Sequence, residues 1–439
     1  MRVAVIGGGL AGLAAAYHLV RHGCAVTLWE KEPVLGGQVR TFAVGGERVE
    51  GFYHHMFASD ADLIRLIDEL GLGADLEWHR SRVGYFSGGR AYPFVTPLDL
   101  LRFRPLGLVD RVRVGLVSLR LQRRQEWHDL EGVSAREWLP GRTGRRGYEV
   151  IFEPLLRGKF GDYAGDISMA WLWNKFRLRL SSRGRGMQHE KLGYLKGSFY
   201  RVVEGLAGAI RDGGGNIVVG QPVVGLQVDD GRVTGVAAGG NPVPCDAVVA
   251  AIPSPAFLAL APPLPDGYRQ KVESIPYLAA LCLVLVLSRP LTPFYWLSMG
   301  SRSIPFVAAV EHTNLVPAER YGGRRILYIS NYLSPQDELY GLGARELMER
   351  YWPHLREIYP PLDPAWVEAY HVFRERAAQP VVTTGYGARV PPLRTPVRGL
   401  YLANTSQIYP EDRGMNYSVR LGLGVGQMAL EDQKGDTIG

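Results

Sequence analysis

Cysteine is scarce in this chain. Only Cys24, Cys245 and Cys282 occur among 439 residues. An odd number of widely spaced thiols excludes a disulfide framework and fits a reducing compartment. No Cys or His pair has the spacing of a zinc site, so no metal centre is expected. Lysine is scarce too: of 50 basic residues only seven are lysine. Long apolar runs are missing. The longest, Tyr277 to Leu287, falls short of the ~20 residues a membrane-spanning helix needs. No leader with an apolar core and cleavage site is visible. The expectation is a cytoplasmic protein, soluble or peripheral to the inner face of the membrane.

What is present is an ordinary globular composition, with 46% hydrophobic and 21% charged residues. That excludes global disorder, and the length allows two or three domains. The net charge of +7 comes with no recognition motif, so no nucleic-acid partner is expected. An acidic substrate or an anionic membrane surface is a better use for it.

The N-terminus carries the strongest signal. Residues 2–6 (RVAVI) read as a buried strand. Gly7-Gly8-Gly9-Leu10-Ala11-Gly12 follows at once and makes G-x-G-x-x-G. A helix runs through Ala14 to Val20 and ends at Gly23, and a second strand, Ala25 to Trp29, ends on Glu30. The first glycine permits a tight turn, the second lets backbone approach a pyrophosphate, and the third lets helix pack on strand. The helix N-terminus offers free N–H groups to phosphate. A carboxylate at the end of the second strand accepts from a ribose diol and repels a 2′-phosphate, which favours FAD or NAD over NADP. Gly7, Gly9, Ala11, Gly12, Glu30 and Lys31 are the first cofactor candidates.

Just past Glu30 stands a second glycine pair, in Leu35-Gly36-Gly37-Gln38-Val39-Arg40-Thr41. This arrangement resembles the flavoprotein superfamily of amine oxidases, protoporphyrinogen oxidases and phytoene desaturases, with local similarity to UDP-galactopyranose mutase. Three further stretches carry the resemblance, in the family's order: Gly215 to Leu226, Cys245 to Pro253, and Gly399 to Asn404 followed by Gly414-Met415-Asn416-Tyr417. The resemblance implies FAD, bound non-covalently, with Gly36, Gly37, Gln38, Val39, Val223, Val224, Asn404, Gly414, Met415 and Asn416 as further contacts. The last helix would point its N-terminus at the flavin ring. The chain departs from the family at Gln38, where Arg is usual, and at Asn404, where an acidic residue is usual. Arg40 is the candidate to supply the missing charge, and the Asn404 amide to bond the ribityl or phosphate region. No second G-x-G-x-x-G follows a strand, so the electron acceptor is expected to be oxygen or a quinone.

The implied fold class is α/β. A Rossmann-like FAD-binding domain of glutathione-reductase topology is assembled from residues 1–52, 199–265 and 386–439. An inserted α+β substrate domain takes residues 53–198 and 266–385. Asp60 to Leu70 has a helical apolar period, with Ser59 or Asp60 to cap it. The candidate catalytic residues are His54, His55, Lys159, Glu411 and Arg413. His54 and His55 follow the glycine pairs, as a His-containing stretch does in UDP-galactopyranose mutases. Lys159 and Lys175 stand out because lysine is rare. Glu411, Asp412 and Arg413 precede the flavin-facing helix, as a substrate clamp or as an ion-pair cluster. Aromatics Phe52, Tyr53, Trp171, Trp173, Tyr194 and Phe199 are candidates to line an apolar cavity. Residues 93–124 interleave leucine and valine with arginine. They are either a helix lying on an anionic membrane or a buried helix whose arginines snorkel.

The leading functional expectation is an FAD-dependent oxidoreductase moving hydride to flavin N5 from an apolar (isoprenoid or porphyrinogen-like) or amine substrate. The alternative is a redox-neutral sugar-nucleotide mutase, with arginines clamping a diphosphate. A third is a non-catalytic FAD-binding partner protein.

Overall fold

The computed structural model describes residues 1–181 and 190–438. Strand β1 (Arg2–Ile6), helix α1 (Leu10–Arg21) and strand β2 (Ala25–Glu30) open the chain. Helix α2 (Ala61–Glu69), strands β3 (Val83–Ser87) and β4 (Arg90–Pro93), and helices α3 (Pro97–Leu101) and α4 (Leu108–Arg123) follow. Then come helices α5 (Glu153–Phe160) and α6 (Met169–Ser181), and strands β5 (Asn216–Val219), β6 (Ala247–Ala250) and β7 (Tyr277–Leu287). Strands β8 (Trp296–Met299), β9 (Ala308–Glu311), β10 (Arg325–Leu333), β11 (Val367–Pro380) and β12 (Leu400–Leu402) precede the last helix, α7 (Met415–Ile438).

Two large sheets organise these elements. The first is parallel, in the order β12-β6-β1-β2-β5. Helices cover one face, and a small antiparallel sheet with two further helices covers the other, so its strands are apolar nearly throughout: Val3 to Ile6 and Ala247 to Ala250 are all buried. The second has seven strands, in the order β11-β7-β10-β9-β8-β3-β4. All its pairings are antiparallel except β3 with β8. The apolar run Tyr277 to Leu287 is its buried strand β7, second from one edge.

Small residues set the position of α7. A Cβ at Gly422 would sit 2.2 Å from the Ala11 carbonyl oxygen, and one at Gly426 would touch His18. The two helices therefore run side by side in close contact. Seven residues of α7 precede Gly422, so at 1.5 Å per residue its first turn stands roughly 10 Å beyond the start of α1.

Two local expectations change. Residues 215–226 are not one strand. Gly220, at φ +69°, ends β5, and Val223–Asp229 opens a separate three-stranded antiparallel sheet. Neither Ser59 nor Asp60 caps α2 through its side chain. The Asp60 carboxylate accepts from the Phe57 N–H at 2.8 Å, and Asn416 Oδ1 accepts from the Leu63 N–H at 3.0 Å.

Candidate active site

The glycine loop between β1 and α1 has the shape a dinucleotide needs. Gly7 takes φ +105°, and a Cβ there would lie 2.6 Å from the Ala251 carbonyl oxygen. A Cβ at Gly12 would meet the Gly7 carbonyl oxygen at 1.9 Å. A Cβ at Gly9 would meet nothing within 4 Å. Gly7 and Gly12 are thus glycine for the fold, whereas Gly9 is glycine facing open space. No side chain caps α1 and no acidic residue stands in its first turn, so its amides and positive dipole end face that space. The second glycine pair closes over the first. Gly36 N–H donates to the Gly8 carbonyl at 2.8 Å, and Gly36 and Gly37 both have positive φ. Buried Glu30 ties the loops together, accepting from Gly8 N–H at 2.7 Å and Glu32 N–H at 2.9 Å. Each carboxylate oxygen keeps a lone pair for a ribose hydroxyl. These residues fit FAD.

At the start of α7 a cation cluster gathers residues far apart in sequence. Asp412, buried, accepts from Lys159 Nζ at 2.7 Å and from Lys175 Nζ. Its other oxygen accepts from Trp171 Nε1 at 3.3 Å and Gln379 Nε2 at 3.4 Å. Burial pushes the Asp412 carboxyl up, but the two ammonium groups outweigh it and hold it well below the usual carboxylate range. Arg413 spreads its guanidinium over three acceptors: Gln379 Oε1 at 3.0 Å, Gln38 Oε1 at 2.7 Å and the Tyr332 hydroxyl at 2.8 Å. Burial alone would raise the Tyr332 phenol, yet the charges of Arg413 and Lys159 hold it below its ordinary value. Burial and the neighbouring Tyr332 raise Tyr53. Three cations thus face one carboxylate.

Arg413, from the opposite end of the chain, brings a guanidinium to Gln38. The Arg40 guanidinium donates to the Arg374 carbonyl at 3.0 Å.

His54 joins the cluster. Its Nδ1 donates to the Phe52 carbonyl at 2.7 Å. Burial, with a further contribution from Arg413, lowers its pKa to about 4. The ring is therefore neutral near pH 7. His55 turns elsewhere, to the Tyr295 hydroxyl at 3.0 Å. Glu411 pairs with Arg420 at 3.0 Å, not with Arg413.

The Asn404 amide is used inside the protein. Its Nδ2 donates to the Ile252 carbonyl and Ser254 Oγ, and its Oδ1 accepts from the N–H and hydroxyl of Ser406. Both amide hydrogens are spent there, and Asn416 is turned to α2. Val224 is exposed, Val223 and Val39 are buried, and Lys31 pairs with its neighbour Glu32 at 3.7 Å.

Of the aromatic candidates, Tyr53 and Trp171 reach the cluster. Trp173, Tyr194 and Phe199 are core residues. Trp173 donates to the Arg124 carbonyl, and Tyr194 donates to the buried carboxylate of Glu50 at 2.8 Å. Tyr332 and Gln379 escaped the sequence reading. They lie in strands β10 and β11, and no motif marks them.

A parallel sheet with a glycine-rich first turn, a buried acid ending its second strand and a returning C-terminal helix defines an FAD-dependent oxidoreductase fold. The chain belongs to the flavin containing amine oxidoreductase family, which it matches over residues 10–412. FAD is its cofactor. The mitochondrial protoporphyrinogen oxidase of Nicotiana tabacum is 28% identical over 186 residues, 39% of this chain and 36% of that protein. The carotenoid phi-ring synthase of Streptomyces griseus is 32% identical over 209 residues, 42% of this chain and 40% of that protein. The chain thus spans about two fifths of the length of these relatives. Reduced UDP-galactopyranose mutase superposes with a TM-score of 0.76 over 98% of this chain and 95% of its own, at 15% identity. That likeness is one of fold.

Proposed function

We propose that this enzyme takes hydride from a carbon of an apolar substrate, isoprenoid or porphyrinogen-like, and not from a small aliphatic amine. The observation that carries the reading is the excess of positive charge at the cluster: Lys159, Lys175 and Arg413 against Asp412. A protonated amine entering beside three cations would be repelled, most strongly where water is excluded. A neutral or carboxylate-bearing substrate meets no such barrier. Bound FAD supplies a two-electron acceptor at N5.

The chain's own groups prepare the site for that transfer. Arg413, Lys159 and the N-terminus of α7 concentrate positive charge at one place, where they would stabilise negative charge on a reduced cofactor held beside them. Asp412 holds both lysines in place. Tyr53, Trp171 and Tyr332 present aromatic surface and displace water. Neutral His54 keeps Nε2 as an acceptor for a substrate hydrogen-bond donor. Buried Cys24, Cys245 and Cys282 offer no accessible thiol for flavin attachment, which supports non-covalent binding.

The test is an anaerobic visible spectrum of the FAD-loaded protein, with and without a polyprenyl lipid or a porphyrinogen. Bleaching of the oxidised flavin band by either supports the reading. Bleaching by aliphatic amines alone refutes it. Turnover of a sugar nucleotide only after dithionite reduction would establish the mutase. A flavin inert to every donor would mark a binding protein. Re-oxidation by air or by a quinone then identifies the acceptor.

A further inference from the structure

Helices α3 and α4 carry an apolar surface that the protein leaves uncovered. Thirteen large hydrophobic residues are exposed among the described residues, and seven lie between Leu98 and Leu119. On α4 the exposed ones are Leu108, Val109, Val112, Leu116 and Leu119. At 3.6 residues per turn these five project within an arc of about 100°. The opposite side, Val114, Val117 and Leu121, is buried. The helix therefore has two apolar faces, and packing satisfies only one. Exposed Leu98 and Leu101 of α3 extend the outer face. The arm is braced: Arg111 donates to the Leu106 carbonyl at 2.7 Å and to the Leu101 carbonyl at 2.6 Å, fixing α3 to α4.

Charge identifies what covers this face. Residues 97–124 hold seven arginines and two aspartates. Both aspartates are engaged, Asp99 in capping α3 and Asp110 with Arg113 at 3.7 Å. Arg102, Arg104, Arg120 and Arg123 are exposed around the apolar stripe. A second copy docked two-fold on this face would oppose arginine to arginine. An anionic bilayer instead offers acyl chains to the stripe and phosphates to its rim. We infer that the α3–α4 arm lies flat on an anionic lipid surface and anchors the protein there. The buried side of α4 packs on α6, which carries Trp171 and Lys175. The anchor is therefore one helix removed from the cation cluster.

The experiment is co-sedimentation of the FAD-loaded full chain with phosphatidylcholine vesicles, with or without phosphatidylglycerol, at low and high salt. Binding is expected to the anionic vesicles at low salt and to fall at high salt. Each arginine near the surface contributes about fivefold. Replacing Arg102, Arg104, Arg120 and Arg123 with glutamine should weaken binding by about a hundredfold or more. The variant Leu108→Glu/Val112→Glu/Leu116→Glu should lose binding while keeping its flavin spectrum and far-UV circular dichroism. These are exposed side chains, so folding is not at stake. No binding by the wild type at low salt overturns the inference, as does a triple variant that binds unchanged. A wild-type dimer that the triple variant converts to monomer overturns it in favour of a second copy.

Discussion

Asp412→Asn tests the electrostatics of the cluster directly. The substitution preserves shape and leaves the side-chain oxygen that accepts from Trp171 and Gln379. It removes the charge shared by Lys159 and Lys175. Taking one partner from a buried ion pair costs about 3–5 kcal/mol, because the other charge remains desolvated. The Lys159 side chain is 18% exposed and that of Lys175 is 35% exposed. Water therefore relieves Lys175 in part, which places the expectation near the lower end, about 3 kcal/mol. The sign of the pH dependence also follows. A carboxyl depressed in the folded state stabilises fully above its unfolded pKa of about 3.9, and that stability is lost as pH falls toward the folded value. The gap between wild type and variant should be constant from about pH 8 to 5 and close below about pH 4. Urea unfolding of the FAD-loaded proteins, followed by tryptophan fluorescence, measures both. Adding Lys175→Met should recover part of the loss, since it removes an orphaned cation. A D412N variant within about 0.5 kcal/mol of wild type at pH 7 would refute the reasoning. So would a gap that persists unchanged at pH 3.

Other substitutions separate fold from cofactor. Gly9→Val, placed in open space, should keep the circular dichroism of the apoprotein while losing FAD retention at least about tenfold; Gly12→Val, against the Gly7 carbonyl, should fail to fold. Glu30→Gln keeps one amide acceptor where two N–H groups now donate, so FAD affinity should fall about tenfold in a flavin-fluorescence titration. His54 has a folded pKa of about 4, below its unfolded value of about 6.5. Its stabilising contribution is complete above that unfolded value and is lost as pH falls toward the folded one, by ~3 kcal/mol in all. His54→Gln should flatten that decline in unfolding measured across the same pH range. Arg413→Met, which empties the three-acceptor contact, should slow anaerobic flavin reduction at least about tenfold while the Gly9 loop still retains FAD.

The dinucleotide half of the fold was legible because its chemistry is local. A strand, a tight glycine turn, a helix start and a strand-ending acid occupy 29 consecutive residues from Arg2 to Glu30. Short-range sterics and backbone hydrogen bonding dictate each of them. The later segments were legible in order, since buried parallel strands must be apolar, but less so in extent: Gly220 cuts in two what apolar content alone makes continuous. Tertiary structure decided the site. Asp412 meets Lys159 from 253 positions away, and Arg413 meets Gln38 across 375. No periodicity encodes such pairs, because they form only when α7 packs on α1 through Gly422 and carries its first turn past the glycine loop. The same holds for α4. Its composition left open a helix lying on a membrane or a buried one whose arginines snorkel, and only the packing of Val114, Val117 and Leu121 decided which face the protein keeps and which it turns outward.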